Sequence, residues 1–146
     1  MVIAGDGPFQ EELKRLASGL STKVRFAGWL DSDGEELRSL YETSAIFVFP
    51  SEVENCPLAL LDAMAASLAI VTTRNTGCEA LVQDAGILVS PRSPESIRAA
   101  LEKLVRSPAL VRELGARARV RFEKGYGWDS IVERYRELFE THARRY

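Results

Sequence analysis

The chain has 146 residues, 46% hydrophobic and 27% charged, a composition that supports one packed domain and excludes disordered and collagen-like classes. A formal net charge of −2 gives no general pull toward nucleic acid, no apolar run is long enough to span a membrane, and nothing at Met1 reads as a signal peptide. Cys56, Cys78 and the single histidine make neither a disulfide framework nor a zinc site, so reduced thiols and a cytoplasmic location are expected.

Val2, Ile3 and Ala4 predict a short strand. Gly5-Asp6-Gly7-Pro8 then turns into a helix with Pro8 at its first position and Phe9, Leu13, Leu16 and Leu20 on one face. Gly5 and Gly7 match the first two glycines of a dinucleotide fingerprint, but Gln10 takes the third place, which argues against a Rossmann dehydrogenase. Neither a P-loop nor a Gly-x-Ser-x-Gly nucleophile elbow occurs. Residues 24–27 predict a second strand, ended by Gly28. Trp29, Leu30 and Asp31 lead from it to a helix with Leu37, Leu40 and Tyr41 on one side; Trp29 also fits a plain packing role at a strand end.

Ile46 to Phe49 is a β-branched and aromatic run that predicts a buried strand. After a polar turn, Pro57 is expected at the first helical position, where its missing N–H costs nothing. From Leu58 to Ala66 the helix is apolar on every side except at Asp62, which predicts burial and a carboxylate in need of a partner. Cys56 is a poor N-cap. The amides of Leu58, Ala59 and Leu60 are therefore expected to stay open to an anion such as a phosphate. Glu54 and Asp62 flank that open end. Two readings stand at this point: a nucleotide-sugar site, or an ordinary strand-turn-helix unit with Glu54 solvated and Asp62 paired to an arginine.

Residues 68–73 predict a β-branched strand, and Thr76-Gly77-Cys78-Glu79 matches a capping box. Gly86 to Val89 predicts the last strand. Ser93-Pro94 and Ser107-Pro108 each start a helix, with stripes at Ile97, Ala100, Leu101, Leu104 and Val105, then at Leu110, Val111 and Leu114. Up to residue 100, 8 Lys and Arg face 14 Asp and Glu; beyond it the count is 11 against 7. Arg112, Arg117, Arg119, Arg121 and Lys124 read either as a solvated face or as a contact with an anionic membrane surface. A last helix places Trp128, Ile131, Val132, Tyr135, Leu138, Phe139 and His142 at three- and four-residue spacing, His142 as a surface or packing residue. Strands and helices alternate throughout, so the fold class is α/β, a doubly wound parallel sheet that binds ligands at the carboxyl ends of its strands.

Pro50-Ser51-x-x-Glu54, seven residues, Asp62 and then Ala63-Met64-Ala65 resembles the donor-site signature of the retaining glycosyltransferases of family 4, whose fold is called GT-B. Gly5-Asp6-Gly7-Pro8 is similar to a βα turn in the C-terminal domain of that family. The resemblance implies that the whole chain, 1–146, is one Rossmann-like nucleotide-sugar-binding domain. It would be the C-terminal half of a GT-B enzyme truncated at its first strand, with 127–146 a helix that packs on a separate N-terminal domain. It implies Glu54 as the catalytic carboxylate that meets the transferred sugar and Asp62 as the ribose ligand, where the family has a Glu one methylene longer. Ser51, Asn55, Cys56, Pro57 and Leu58 follow as the rest of the donor turn, with Gly5 at the first turn and Trp29, Leu30 and Asp31 near the base. Leu68 and Ala69 stand where the family writes Gly-x-Pro-Val. A left-handed Leu68 would cost about 1 kcal/mol. Glu79 aligns with a Glu common in the family, although capping accounts for it.

By the same resemblance the donor is a UDP- or GDP-sugar, no metal or other cofactor is required, and a hexose passes to a glycan or lipid-linked acceptor in polysaccharide biosynthesis. The family's Arg and Lys that grip the diphosphate lie before the Gly-Asp-Gly-Pro turn, on a strand and loop outside this sequence. The chain alone is therefore expected to bind donor weakly and not to turn over. Partners implied are the nucleotide-sugar, an N-terminal acceptor domain on this or another chain, and peripheral contact with an anionic inner membrane face. Nucleic acid is not among them, because no basic patch is interleaved with aromatics. The competing functions are half of a sugar-nucleotide epimerase, a phosphorylase of like architecture, or a non-catalytic assembly module of the same fold.

Overall fold

The computed structural model describes residues 1–20 and 23–143; the last three residues of the C-terminal segment expected at 127–146 lie outside these. The chain divides into two units, Met1–Glu42 and Thr43–Tyr146. Strand pairing follows the division. Instead of the single sheet expected from the alternating elements, two parallel sheets form, one of two strands and one of three.

In the first unit β1 (Val2–Ala4) pairs in parallel with β2 (Arg25–Gly28), and α1 (Gln10–Ser18) and α2 (Glu35–Thr43) follow the two strands. Helix α1 starts two residues later than Pro8 would place it. Phe9 stands at its N-cap without a side-chain cap, its carbonyl accepting from Leu13 N at 2.9 Å. Phe9, Leu13, Leu16 and Leu20, the predicted core face, are all exposed.

The second unit runs β3 (Ile46–Phe49), α3 (Leu58–Ala65), β4 (Ala69–Thr73), α4 (Gly77–Val82), a 3-10 turn (Gln83–Ala85), β5 (Gly86–Val89), α5 (Pro94–Arg106), α6 (Pro108–Gly125) and α7 (Trp128–Ala143). The strand order is β3-β4-β5, all parallel, with Ile46 opposite Ala69 and Thr73 opposite Val89. Successive β4 side chains point to opposite faces. Ile70 packs with Leu60, Met64, Cys78, Leu81, Val82 and Ala118. Ala69 and Val71 pack with Val89, Ala100, Leu104 and Leu114. With helices on both faces, all five β4 residues are buried, which is why the strand is a continuous apolar and threonine run rather than an alternating one.

The connections explain several odd residues. Ser67 N–H donates to Met64 O at 3.1 Å and Leu68 N–H to Ala63 O at 3.0 Å, a Schellman close of α3 that puts Ser67 in the left-handed region, φ 61°. The left-handed residue is thus Ser67 and not Leu68, which is buried in the core. Gly115 of α6 lies under this loop; a Cβ there would stand 2.1 Å from Ser67 O, so only glycine permits the approach. Ser93 accepts from Ser96 N–H at 3.2 Å and Ser107 from Leu110 N–H at 3.3 Å, capping α5 and α6 as the sequence predicts.

Two residues of the basic run on α6, Arg119 and Arg121, are committed inside the fold. Arg119 donates to Ala65 O, at the end of α3. Arg121 donates to Leu81 O, to Ala80 O at 2.8 Å and to Gln83 Oε1 at 2.7 Å, at the end of α4. Both guanidinium groups sit where a helix dipole is negative. Helix α7 buries none of its residues, and Trp128, Val132, Tyr135, Leu138 and Phe139 are exposed along it. No helix among the described residues is long and apolar enough to cross a membrane.

Candidate functional site

The turn from Ser51 to Pro57 leaves the carboxyl end of β3, at the edge where open parallel sheets bind ligands. Its backbone is pinned from below by the β4–α4 connection. Gly77 N–H donates to Glu54 O at 2.9 Å, and a Cβ on Gly77 would fall 1.7 Å from Asn55 O. With glycine at the first position of α4 the two backbones touch, and the carbonyl of Glu54 is spent while its side chain is left over. Glu54 is half-buried, and among the described residues its carboxylate has no hydrogen bond or ion pair.

Ser51 is half-buried, its hydroxyl at 3.5 Å from Val53 O, while Asn55 and Cys56 are exposed. Pro57 is not the first helical residue. Its ψ of 124° is extended, and it serves as an N-cap without a side-chain bond. Only the Leu58 amide fits the expected open donors. Leu60 N–H turns back to Pro57 O at 3.1 Å, and Ala59 is engaged as well. Among the described residues the Leu58 N–H has no acceptor, and it points from the positive end of α3.

Helix α3 departs from the all-round burial expected of it. Leu60, Ala63 and Met64 are buried, while Leu58 is 74% exposed and Asp62, four residues on and so on the same face, is exposed too. The partner arginine expected for Asp62 is not there: among the described residues it makes no ion pair or hydrogen bond. Water serves it instead, but incompletely. The apolar surroundings on α3 still desolvate the carboxyl enough to raise its pKa above the ordinary aspartate value. Asp62 is thus a carboxylate without an internal partner on the open face of the helix that follows the Glu54 turn.

One further contact fixes this turn. Arg92, itself left-handed at φ 52°, reaches Glu52 Oε2 at 2.8 Å and ties the β5–α5 turn to the β3–α3 turn. Neither this pair nor the contact at Gly77 has a local signal in the sequence, because each depends on which turns become neighbours. Glu79 is explained by capping. Its carboxylate accepts from Asn75 N–H at 2.7 Å, and Thr76 Oγ1 accepts from Cys78 N–H at 3.2 Å, a capping box shifted by one residue on each side.

The remaining candidates lie in the first unit. Gly5 follows β1 and donates to Gly28 O at 2.7 Å. Trp29 is 73% exposed just past β2, Leu30 is half-buried and Asp31 exposed. Asp31-Ser32-Asp33, an Asp-x-Asp sequence, serves a turn. Asp31 Oδ1 accepts from Asp33 N–H at 3.2 Å and Asp31 O from Gly34 N–H at 3.0 Å. Among the described residues no group of three acidic, Cys or His side chains is placed to hold a metal.

The parallel sheets with helices following their strands are the α/β arrangement of a GT-B type domain. The structure superposes on HepE of Anabaena, solved with UDP-glucose, with a TM-score of 0.81 at 17% identity over 96% of this chain and 40% of that one, a likeness of fold. The chain belongs to the glycosyl transferases group 1 family, whose model matches residues 1–107. The C-terminal domain of a glycosyl transferase group 1 family protein from Francisella tularensis is similar at 27% identity and TM-score 0.72, over 82% of this chain and 63% of that one. Sulfoquinovosyl transferase of Arabidopsis thaliana is 31% identical over 137 residues, 90% of this chain and 26% of its own length. The chain spans 26% to 41% of the length of such curated relatives.

Proposed function

We propose that this chain is the donor-binding part of a retaining glycosyltransferase that moves a hexose from a UDP- or GDP-sugar to a glycan or lipid-linked acceptor. The carrying observation is the Glu54 carboxylate. It is held on a turn pinned at Gly77, at the ligand-binding edge of a parallel sheet, and nothing in the described fold uses it. A half-buried carboxylate without a partner is costly unless something outside the fold supplies donors, and sugar hydroxyls are such donors. Asp62, on the open face of the next helix, accepts from the ribose hydroxyls. The Leu58 amide and the positive end of α3 take negative charge on the diphosphate as the glycosidic bond breaks. The HepE complex with UDP-glucose supports a nucleotide-sugar as the ligand class for this fold.

Transfer also needs an acceptor hydroxyl in place and more positive charge on the leaving diphosphate than one amide and a helix dipole supply. We assign both to further protein, for which the exposed apolar stripe of α7 offers a docking face. A purely assembling module of the same fold is the second reading, favoured by that stripe. Calorimetric titration of UDP and GDP into the 146-residue chain separates the two. Donor binding predicts heat on titration with one nucleotide, lost about 10- to 100-fold in Glu54→Ala when the sugar nucleotide is used, as for one charge-assisted hydrogen bond of about 1.5–3 kcal/mol. No heat at millimolar nucleotide would favour the module.

A further inference from the structure

The second unit carries a second recess, remote from Glu54. It is a shallow, open recess of about 670 Å³, lined by Asp84 and Ala85 of the 3-10 turn, by Arg117, Arg121 and Lys124 of α6, and by Arg134 of α7, with Val120 and Tyr126 as apolar wall. Asp84 and Ala85 immediately precede β5. The recess therefore opens at the amino end of the parallel strands, while the Glu54 turn leaves the carboxyl end of β3. Four or five residues of strand, roughly 13–16 Å, separate the two edges.

Its charge is not balanced from within. Arg117 is met by Glu113 at 2.7 Å and by Asp84 at 3.9 Å. Arg121 spends its N–H groups on the carbonyls of Ala80 and Leu81, at the negative end of α4, and on the amide of Gln83, so it meets a partial charge and no carboxylate. Lys124 and Arg134 have no side-chain partner among the described residues. Two unpaired cations from two helices, Lys124 and Arg134, thus share with Arg121 one concavity of the size that takes a small organic ligand, and the one acid there is already answered by Arg117. Like charges kept together without a counterion disfavour the fold unless an anion joins them.

We propose that this recess is a phosphate-binding site separate from the donor site, held by Lys124 and Arg134 with Arg121 as a fixed positive wall. Lys124 and Arg134 supply the free donors, and the flanking Val120 and Tyr126 accommodate the carbon skeleton that carries the phosphate. The chemistry recognised is a phosphate ester or diphosphate, which a soluble metabolite or a lipid headgroup can bring.

The test is a ¹⁵N-resolved NMR titration of the 146-residue chain with inorganic pyrophosphate, beside flotation with vesicles of phosphatidylglycerol and of phosphatidylcholine. Expected are shifts confined to the recess, weakened at least tenfold in the Lys124→Ala/Arg134→Ala double variant and unchanged in Glu54→Ala. Both replaced residues are exposed and unpaired, so the variant keeps its fold, which an unaltered spectrum elsewhere checks. Saturable pyrophosphate binding without flotation identifies a soluble ligand; flotation on phosphatidylglycerol alone, lost in the double variant, identifies a headgroup. Either supports the site. No shift at 10 mM pyrophosphate (on the order of the weakest specific affinities) together with no flotation overturns it, as does binding that the double variant leaves intact.

Discussion

The two units solve the same problem unequally. In Thr43–Tyr146, Leu60, Met64, Ile70 and Leu104 are completely buried, whereas no described residue of Met1–Glu42 reaches burial, and Phe9 and Leu16 stay 68% and 62% exposed on a helix patterned for a core. Each large apolar side chain taken fully from water is worth about 1.5–3 kcal/mol. One unit collects that many times over; the other, of a size at which cores are marginal in any case, collects only a fraction. An amphipathic helix without a cover marks a surface meant for something else. The curated relatives it matches carry about two and a half to four times as much chain.

The contrast is most open to attack by hydrogen exchange. Amides of β4 are expected to exchange only on global unfolding, and those of β1 and α1 at least 100-fold faster, through local opening. Equal protection across both units would break the comparison. Within the second unit, Gly77→Ala must push apart two backbones, one of them carrying Glu54. A loss of about 1–3 kcal/mol in denaturant unfolding is expected, with donor binding lost as well; unchanged stability would mean that the contact at Asn55 is not made.

Smaller effects sharpen the same picture. Thr73 is buried with its hydroxyl unpaired among the described residues, so Thr73→Val is expected to raise stability by about 1 kcal/mol. Ser67→Gly relieves a left-handed serine and gains about the same or slightly less. Asp62 has the smallest effect and a definite sign. With its folded pKa raised, the folded state holds its proton more tightly than the unfolded chain does, so this group favours folding below the unfolded pKa and loses that contribution as pH rises through the folded one. Asp62→Asn should therefore remove this low-pH contribution, so that stability falls slightly more steeply toward acid than in the parent chain. Donor affinity runs the other way: it needs the ionised carboxylate and should weaken as pH falls through the Asp62 pKa, a dependence absent from Asp62→Asn.

Much of this was legible in the chain itself. Strands β3 and β5 and the start of α5 fall where periodicity and Ser-Pro caps put them, since those signals are local. Errors cluster where a neighbour in space decides. Pro57 fits either an N-cap or a first helical position, and the extended ψ that selects the former belongs to the turn held by Gly77. Asp62 read as buried because every residue around it in sequence is apolar, yet the helix turns Leu58 and Asp62 outward together. Arg119 and Arg121 looked like a solvated basic face, and only the packing of α6 across the ends of α3 and α4 makes them caps. The spacing of Glu54 and Asp62 on either side of the start of α3 was readable; the close contact at Gly77 that pins the Glu54 turn was not.

Everything returns to whether the Glu54 turn receives a sugar nucleotide. Backbone NMR of the 146-residue chain titrated with UDP-glucose and with GDP-mannose tests that most directly. The account predicts that one donor moves the amides from Ser51 to Leu58 and around Asp62, saturably, and that Glu54→Ala abolishes the part of the response that depends on the sugar. A saturable response confined to other surfaces, or none from either donor at millimolar concentration, would contradict it.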